Sequence, residues 1–359
     1  MKRKEILLFL LLAVTACNEQ SPKMGYEKLT YENMPVLQKP VFEKVDLPEE
    51  ECMASYFSVY QDSILIINHT RTPNPYFLTV INLNGNKIIG RYLTKGNGPG
   101  EALSTIFHLY ENRINIKDVT RKQLILFNVD SILLQGQSYQ PEIIQMGELS
   151  FNFNSYDMLT DTSFLFYNMC YLENCGCGVN EAQPELLVSD GNGKIEYEVP
   201  EDAVNVGGWN GAFVISNINK GKVFLAYQKE PKFVLLDSQL NALRILYGPG
   251  EVGEKKYTIV QATNSLSSNR FCQYAGYTFS TENYIFIGTE LIDVPREFAP
   301  KALSENILEL YEFDWNGNLI ARFQMPKGFS RVSYSETTNT LYITANDEDG
   351  EPALYKAQL

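Results

Sequence analysis

The chain is short of histidine, of positive charge and of helical pattern, and each shortage closes off a class of function. Only two histidines, His69 and His108, occur in 359 residues. Any Ser-His-Asp or Cys-His arrangement would have to use one of them. Neither lies in a nucleophile-elbow or zinc-binding pattern. His69, in Asn68-His69-Thr70, is expected in a loop, and His108, in Phe107-His108-Leu109, on an inner strand facing a channel or the core. The 30 Lys and Arg against 43 Asp and Glu leave a net charge of -13. Such a surface repels phosphate backbones, so nucleic acid is not an expected partner. No long stretch carries a 3.6-residue apolar period, which argues against a helical body.

The N-terminus does carry signals. Lys2, Arg3 and Lys4 precede an apolar run from Ile6 to Val14, of signal-peptide length and too short to span a bilayer. Val14-Thr15-Ala16-Cys17 then resembles a bacterial lipobox, in which the cysteine sulfur takes a diacylglyceryl group. Residues 1-16 are read as a lipoprotein signal peptide and 17-34 as a lipidated flexible tether, with a single domain over 35-359. Two or more acyl chains on Cys17 would anchor the protein stably. Loss of residues 1-16 removes three bases and one acid and leaves a charge of -15.

The rest alternates short β-rich runs with turn clusters. Tyr76 to Leu83, Asn84-Gly85-Asn86, and Lys87 to Leu93 read as strand, turn, strand, with Asn-Gly the favoured hairpin dipeptide. The phrase recurs at Val188 to Ile195, at Leu310 to Ile320 and, more weakly, at Leu235 to Asn241. Repeats of this length point to a radial architecture. About six units are expected, starting near residues 54, 105, 150, 212, 271 and 329. They predict an all-β fold, a six-bladed β-propeller of four-stranded antiparallel blades. The last unit runs out after three strands, and the segment Pro35 to Val45 is expected to supply the fourth and close the ring.

Gly98-Pro99-Gly100-Glu101 and Gly248-Pro249-Gly250-Glu251 each follow an outer strand. Proline fixes φ at the second position and glycine accepts positive φ at the third, which predicts a type II turn on the way to the next blade. The glutamate is expected to accept backbone N-H bonds there. As a glycosidase pair Glu101 and Glu251 are rejected, since loops on separate blades would lie too far apart. The fuller string Gly96-Asn97-Gly98-Pro99-Gly100-Glu101 resembles the TolB-like six-bladed propellers found as lipoproteins in Bacteroides-type bacteria, with NHL-like blades. The second copy departs from it, with Leu246-Tyr247 upstream. The resemblance implies a six-bladed ring, lipid anchoring and a binding role, and no catalytic residues.

Cys170, Cys175 and Cys177 form a dense cluster whose spacing matches no standard zinc or iron-sulfur pattern. At least one disulfide involving these three is the first reading, free thiols or a metal the others. Trp209, among glycines between two units, is either a ligand platform or a loop-packing residue. Asp347 to Glu351 reads as a solvated hairpin turn, without the ligand spacing of a calcium loop. No cofactor and no metal are expected. A cell-envelope lipoprotein, at the outer membrane and binding a glycan, a peptide or an envelope protein without catalysis, is therefore the first expectation. The alternatives are a propeller lyase or hydrolase acting on glycans or lactones in the central channel, and a structural subunit of an envelope assembly.

Overall fold

A computed structural model describes residues 26–48, 56–70, 72–103, 105–110, 112–118, 120–145, 153–160, 163–168, 186–190, 195–199, 212–228, 231–249, 258–260, 265–267, 270–295 and 308–359. They form a six-bladed β-propeller. The four-stranded core of blade 1 is Tyr56–Tyr60, Ile64–Asn68, Tyr76–Asn82 and Lys87–Thr94. Blade 2 is Ile106–Tyr110, Arg113–Asp118, Gln123–Asn128 and Glu142–Gln145. Blade 3 is Phe153–Thr160, Ser163–Asn168, Leu186–Asp190 and Ile195–Val199. Blade 4 is Ala212–Asn217, Lys222–Tyr227, Lys232–Asp237 and Ala242–Tyr247. Blade 5 is Arg270–Ser280, Tyr284–Pro295, Glu309–Asp314 and Leu319–Gln324. Blade 6 has Arg331–Ser335, Thr340–Asn346 and Pro352–Gln358, and takes its outer strand, Glu43–Lys44, from the N-terminal side.

The middle strands are largely buried because each blade is covered on both faces. Ile64–Asn68 is buried throughout, whereas the outer strand Lys87–Thr94 is buried only in part. Among the described residues six apolar clusters fill the gaps between successive blades. Ile66 and Val80 meet Ile116 and Phe127 between blades 1 and 2. Leu124 meets Phe166, Tyr167 meets Leu225, Phe224 meets Phe313, and Phe286 meets Ile343. The sixth cluster joins Tyr342 and Leu354 of blade 6 to Phe57 and Ile67 of blade 1, which closes the circle. Aromatic rings suit these wedges because each contributes a large buried area at fixed geometry.

The recurring Asp or Asn turn has a common physical basis. Asp314 Oδ1 accepts the N-H groups of Asn316 and Asn318 at 2.8 and 2.9 Å, and Asp237 Oδ1 does the same for Gln239 and Asn241. Asn82 takes the first position in blade 1, accepting from Asn84 and Gly85. One short side chain thus satisfies the donors that the tight turn leaves unpaired. Asp347 to Glu351 is a turn of this kind, with Gly350 at φ 83 and Asp347 Oδ1 accepting from Asp349 and Glu351.

Two features depart from the sequence reading. Residues 26–34, expected as part of the tether, pack against the ring. Tyr26–Lys28 adds a parallel fifth strand to blade 4, and Leu29 and Met34 are buried in the wedge between blades 4 and 5. Leu37–Gln38 likewise adds to blade 5. Both segments cover exposed strand edges. In blade 2, a helix α1, Val129–Gln135, stands between the third and outer strands. Asn128 caps it by accepting from the Ser131 N-H at 2.9 Å, and Gly136, at φ 57, ends it.

Candidate functional site

The inner strands of all six blades line one cavity of ≈ 280 Å³ around the ring axis. Tyr56, His108, Tyr156, Phe213, Tyr277 and Arg331 represent blades 1 to 6 in its wall. They come together because the inner strands stand around the axis, so that consecutive residues of a strand, such as Phe107, His108 and Leu109, border the cavity. The wall is mainly aromatic and aliphatic, and no carboxylate side chain among the described residues lines it.

Two ionisable groups adjoin it. His108 Nδ1 stands 3.5 Å from Asp157 Oδ1, linking the inner strands of blades 2 and 3. Asp157 is fully buried. Its oxygens accept the N-H groups of Met158 at 2.8 Å and Ser216 at 2.7 Å. Burial pushes its carboxyl pKa up, while His108 and the two N-H donors pull it down, and the net shift is upward. Behind this pair Lys117 lies over the rings of Tyr156 and Phe166, at 5.6 Å from each. Burial pushes the Lys117 pKa down to about 8. Arg331 is the other group. Its guanidinium lies 4.0 Å from the centre of the Tyr56 ring and 5.2 Å from that of Tyr277. Both Tyr56 and Arg331 begin their strands, at the end of the channel where the chain crosses in from the preceding blade.

A second hollow of ≈ 270 Å³ lies at the other end of the inner strands, between Tyr60, Asn217, Phe279 and Glu336. A third, ≈ 440 Å³, sits in a loop of blade 1 beside His69 and Arg91. His69 is buried just past the second strand, with Nε2 2.9 Å from Thr79 Oγ1, a packing role. His108 was legible as an inner-strand residue. Arg331 was missed, since a lone arginine opening a strand carries no motif.

The residues singled out by motif lie elsewhere. Glu101 Oε2 accepts the Gly98 N-H at 2.6 Å, and the Glu101 N-H donates to Gly98 O at 3.2 Å. Gly100 has φ 76 after Pro99. A Cβ on Gly96 or Gly98 would meet the Glu101 carboxylate at 2.2 or 2.9 Å, so both glycines make room for that side chain. Arg121 Nη1 donates to Gly98 O at 2.8 Å and also to Glu101 O. The two copies are not in the same register. Lys95 N donates to Pro75 O and Gly248 N to Pro231 O, which makes Lys95, three residues before Gly98, the counterpart of Gly248. Leu246 is accordingly a buried strand residue. Gly250, Glu251, Cys17, Cys170, Cys175, Cys177 and Trp209 lie outside the described residues. No cluster of three or more potential metal-ligating side chains occurs among the described residues.

Comparisons with known proteins bear on the fold alone. No protein-family model matches the chain, and no curated protein does. Among solved structures, a member of the DUF4221 family from Bacteroides vulgatus superposes with a TM-score of 0.59 at 11% identity, over 90% of this chain and 96% of that one. A protein assigned as exported, from Bacteroides fragilis, superposes with a TM-score of 0.57 at 12% identity, over 93% of this chain and 99% of that one. The chain is thus similar in architecture, over nearly its whole length, to these two Bacteroides proteins.

Proposed function

We propose that this protein is a lipid-anchored component of the cell envelope, held at the outer membrane through Cys17, whose ring binds a ligand in its central channel without catalysis. The ligand is a glycan, a peptide or an exposed group of an envelope protein. The observation that carries this reading is the channel wall: six inner strands converge on one cavity lined by aromatic and aliphatic side chains, the usual composition of a binding pocket. The likeness to a Bacteroides protein assigned as exported supports an envelope location, and the Gly96 to Glu101 string supports the TolB-like assignment.

A lyase or hydrolase draws support from the His108–Asp157 pair only. Asp157 spends its oxygens on backbone donors, and no carboxylate side chain among the described residues lines the cavity. Acid-base chemistry on a glycosidic bond calls for two carboxyl groups flanking it.

The test is a glycan and peptide array probed with the full chain and with Leu109→Trp, which enlarges a residue of the channel wall. Binding that disappears in the variant, with no turnover of the bound compound, is the expected result. Turnover that requires His108 would overturn the non-catalytic reading. The anchor is tested by metabolic labelling with an alkynyl fatty acid: Cys17→Ser should lose both label and membrane association.

A further inference from the structure

Arg331 lines the channel with half of its hydrogen-bonding edge unused. The guanidinium lies over Tyr56 on blade 1 and Tyr277 on blade 5. Nη1 donates to Ser330 O at 2.5 Å. Nε is buried and has no partner, and Nη2 has no acceptor among the described residues. Nε and Nη2 together form the side-on edge of the guanidinium, two parallel donors spaced for the two oxygens of a carboxylate or phosphate. A buried donor without an acceptor is costly, so this edge is disposed to take one.

The same molecule contains the filled version of this arrangement. Arg322 also lies over two tyrosine rings, Tyr31 at 5.3 Å and Tyr311 at 5.9 Å. Its Nε and Nη2 both donate to Glu309 Oε2, at 3.0 and 2.7 Å. There a carboxylate of the chain occupies the side-on edge. At Arg331 no carboxylate of the described residues does so, and the edge belongs to a residue of the cavity wall.

Resting on the channel as the binding site, we propose that the group of that glycan, peptide or envelope protein which enters it is an oxyanion, a carboxylate or a phosphate monoester, on a compact apolar or aromatic body. Its oxygens take the Nη2 hydrogen of Arg331 and, with a small turn of the guanidinium that opens the buried Nε, the Nε hydrogen as well, and its body lies against the channel's aromatic wall. A cavity of ≈ 280 Å³ is at the small end of ligand pockets, about 300 Å³ and upward, and holds one such group rather than a polymer. The chain's acidic surface, with its net charge of -13, does not prevent this, because exposed charges are screened beyond about 8 Å at physiological salt.

Calorimetric titration of the full chain with benzoate, phenyl phosphate and benzyl alcohol tests the proposal. The two anions should bind, and the alcohol about tenfold or more weaker, because charged hydrogen bonds are the ones lost. Arg331→Gln should weaken both anions by about tenfold or more and leave the alcohol unchanged. Arg331→Lys keeps the charge without the fork and should recover only part of the loss. An unchanged thermal midpoint establishes that the variants fold, and Tyr56→Leu, which removes one stacking ring, should weaken the anions independently. Preference for benzoate over phenyl phosphate would assign a carboxylate, and the reverse a phosphate. Equal binding of alcohol and anions, or anion binding indifferent to Arg331→Gln, overturns the oxyanion while the channel remains the site. If no probe binds but Leu109→Trp still abolishes array binding, the oxyanion again falls alone. If Leu109→Trp changes nothing either, the channel reading falls with it.

Discussion

Lys44 and Asp347, 303 positions apart in the chain, meet with Nζ 2.9 Å from Oδ2 at the seam where the ring closes. The pairing beside this contact matters more than the ion pair. Lys44 is more than half exposed, and such pairs contribute little. Val45, by contrast, donates its N-H to Leu354 O at 2.8 Å and packs in the wedge with Phe57 and Val59. Lys44→Ala should leave the unfolding midpoint unchanged. Val45→Pro removes the donor and the local strand geometry, and should cost about 3 kcal/mol. Denaturant melts of the two variants check the contrast, and equal losses would show that the charges hold the seam.

Gly96 and Glu101 are coupled through space. The glycine lacks a Cβ where the carboxylate lies, at 2.2 Å from the position a Cβ would take. Gly96→Ala should therefore destabilise by displacing Glu101 from the Gly98 N-H, by about 1–3 kcal/mol for the donor left unpaired and the crowding. In the double variant with Glu101→Ala the clash is gone, so the two losses should not add. An additive cycle would mean that the glycine serves the backbone alone.

Stability should fall and then rise with pH. The Glu312 pKa is raised from 4.5 to about 7, first by burial and then by Glu336. Between those values the folded state holds more protons than the unfolded one, so stability drops as pH rises. Glu312 keeps some solvent contact, which limits the loss to about 1–2 kcal/mol. Lys117 acts in the other window, its pKa lowered from 10.5 to about 8 by burial. From about pH 8 upward the unfolded state holds more protons, and stability climbs. Chemical denaturation across pH 5–9.5 should show a minimum between 7 and 8. Glu312→Gln should flatten the acid limb and Lys117→Met the alkaline one; a limb unchanged in its variant would assign that limb to other groups.

Gly288 bears on the oxyanion site from one strand away. A Cβ there would lie 3.0 Å from Tyr277 Cδ2 and 3.2 Å from Phe329 Cε1, and those two rings meet edge to face at 5.2 Å. Gly288→Ala should push Tyr277 against Arg331 and weaken benzoate binding several-fold, with a loss of about 1–3 kcal/mol in stability from overpacking. Titration and melting of one sample separate the two effects. Stability lost with binding intact would mean that Phe329 alone gives way.

Phe313 closes the wedge between blades 4 and 5, its ring centre 5.3 Å from that of Phe224 and 5.0 Å from that of Phe233. Phe313→Ala should cost about 3–5 kcal/mol by opening a cavity that two stiff sheets cannot collapse into. A thermal melt checks it, and a loss below about 1 kcal/mol would mean that the blades slide together to fill the gap.

Strand runs and turn phrases are local properties, so the six units and their starting points could be read along the chain from period-2 pattern and Asp or Asn turns such as Asp314 to Asn318. The closing role of Pro35 to Val45 followed from counting: one strand was missing at one end and one was spare at the other. Helix α1 was not legible, because two helical turns are too few to show a period. Which side chains share the channel was not legible, because that depends on the facing of six strands drawn from residues 56 to 335. Arg331 looks like any arginine until the ring sets Tyr56 and Tyr277 on either side of it. The same holds for Tyr26–Lys28, whose partners lie more than 200 residues away. The chain's order thus determined how each blade is built. Only the closed circle decided which groups meet at its axis, because contacts across a ring are made by residues that no local pattern relates.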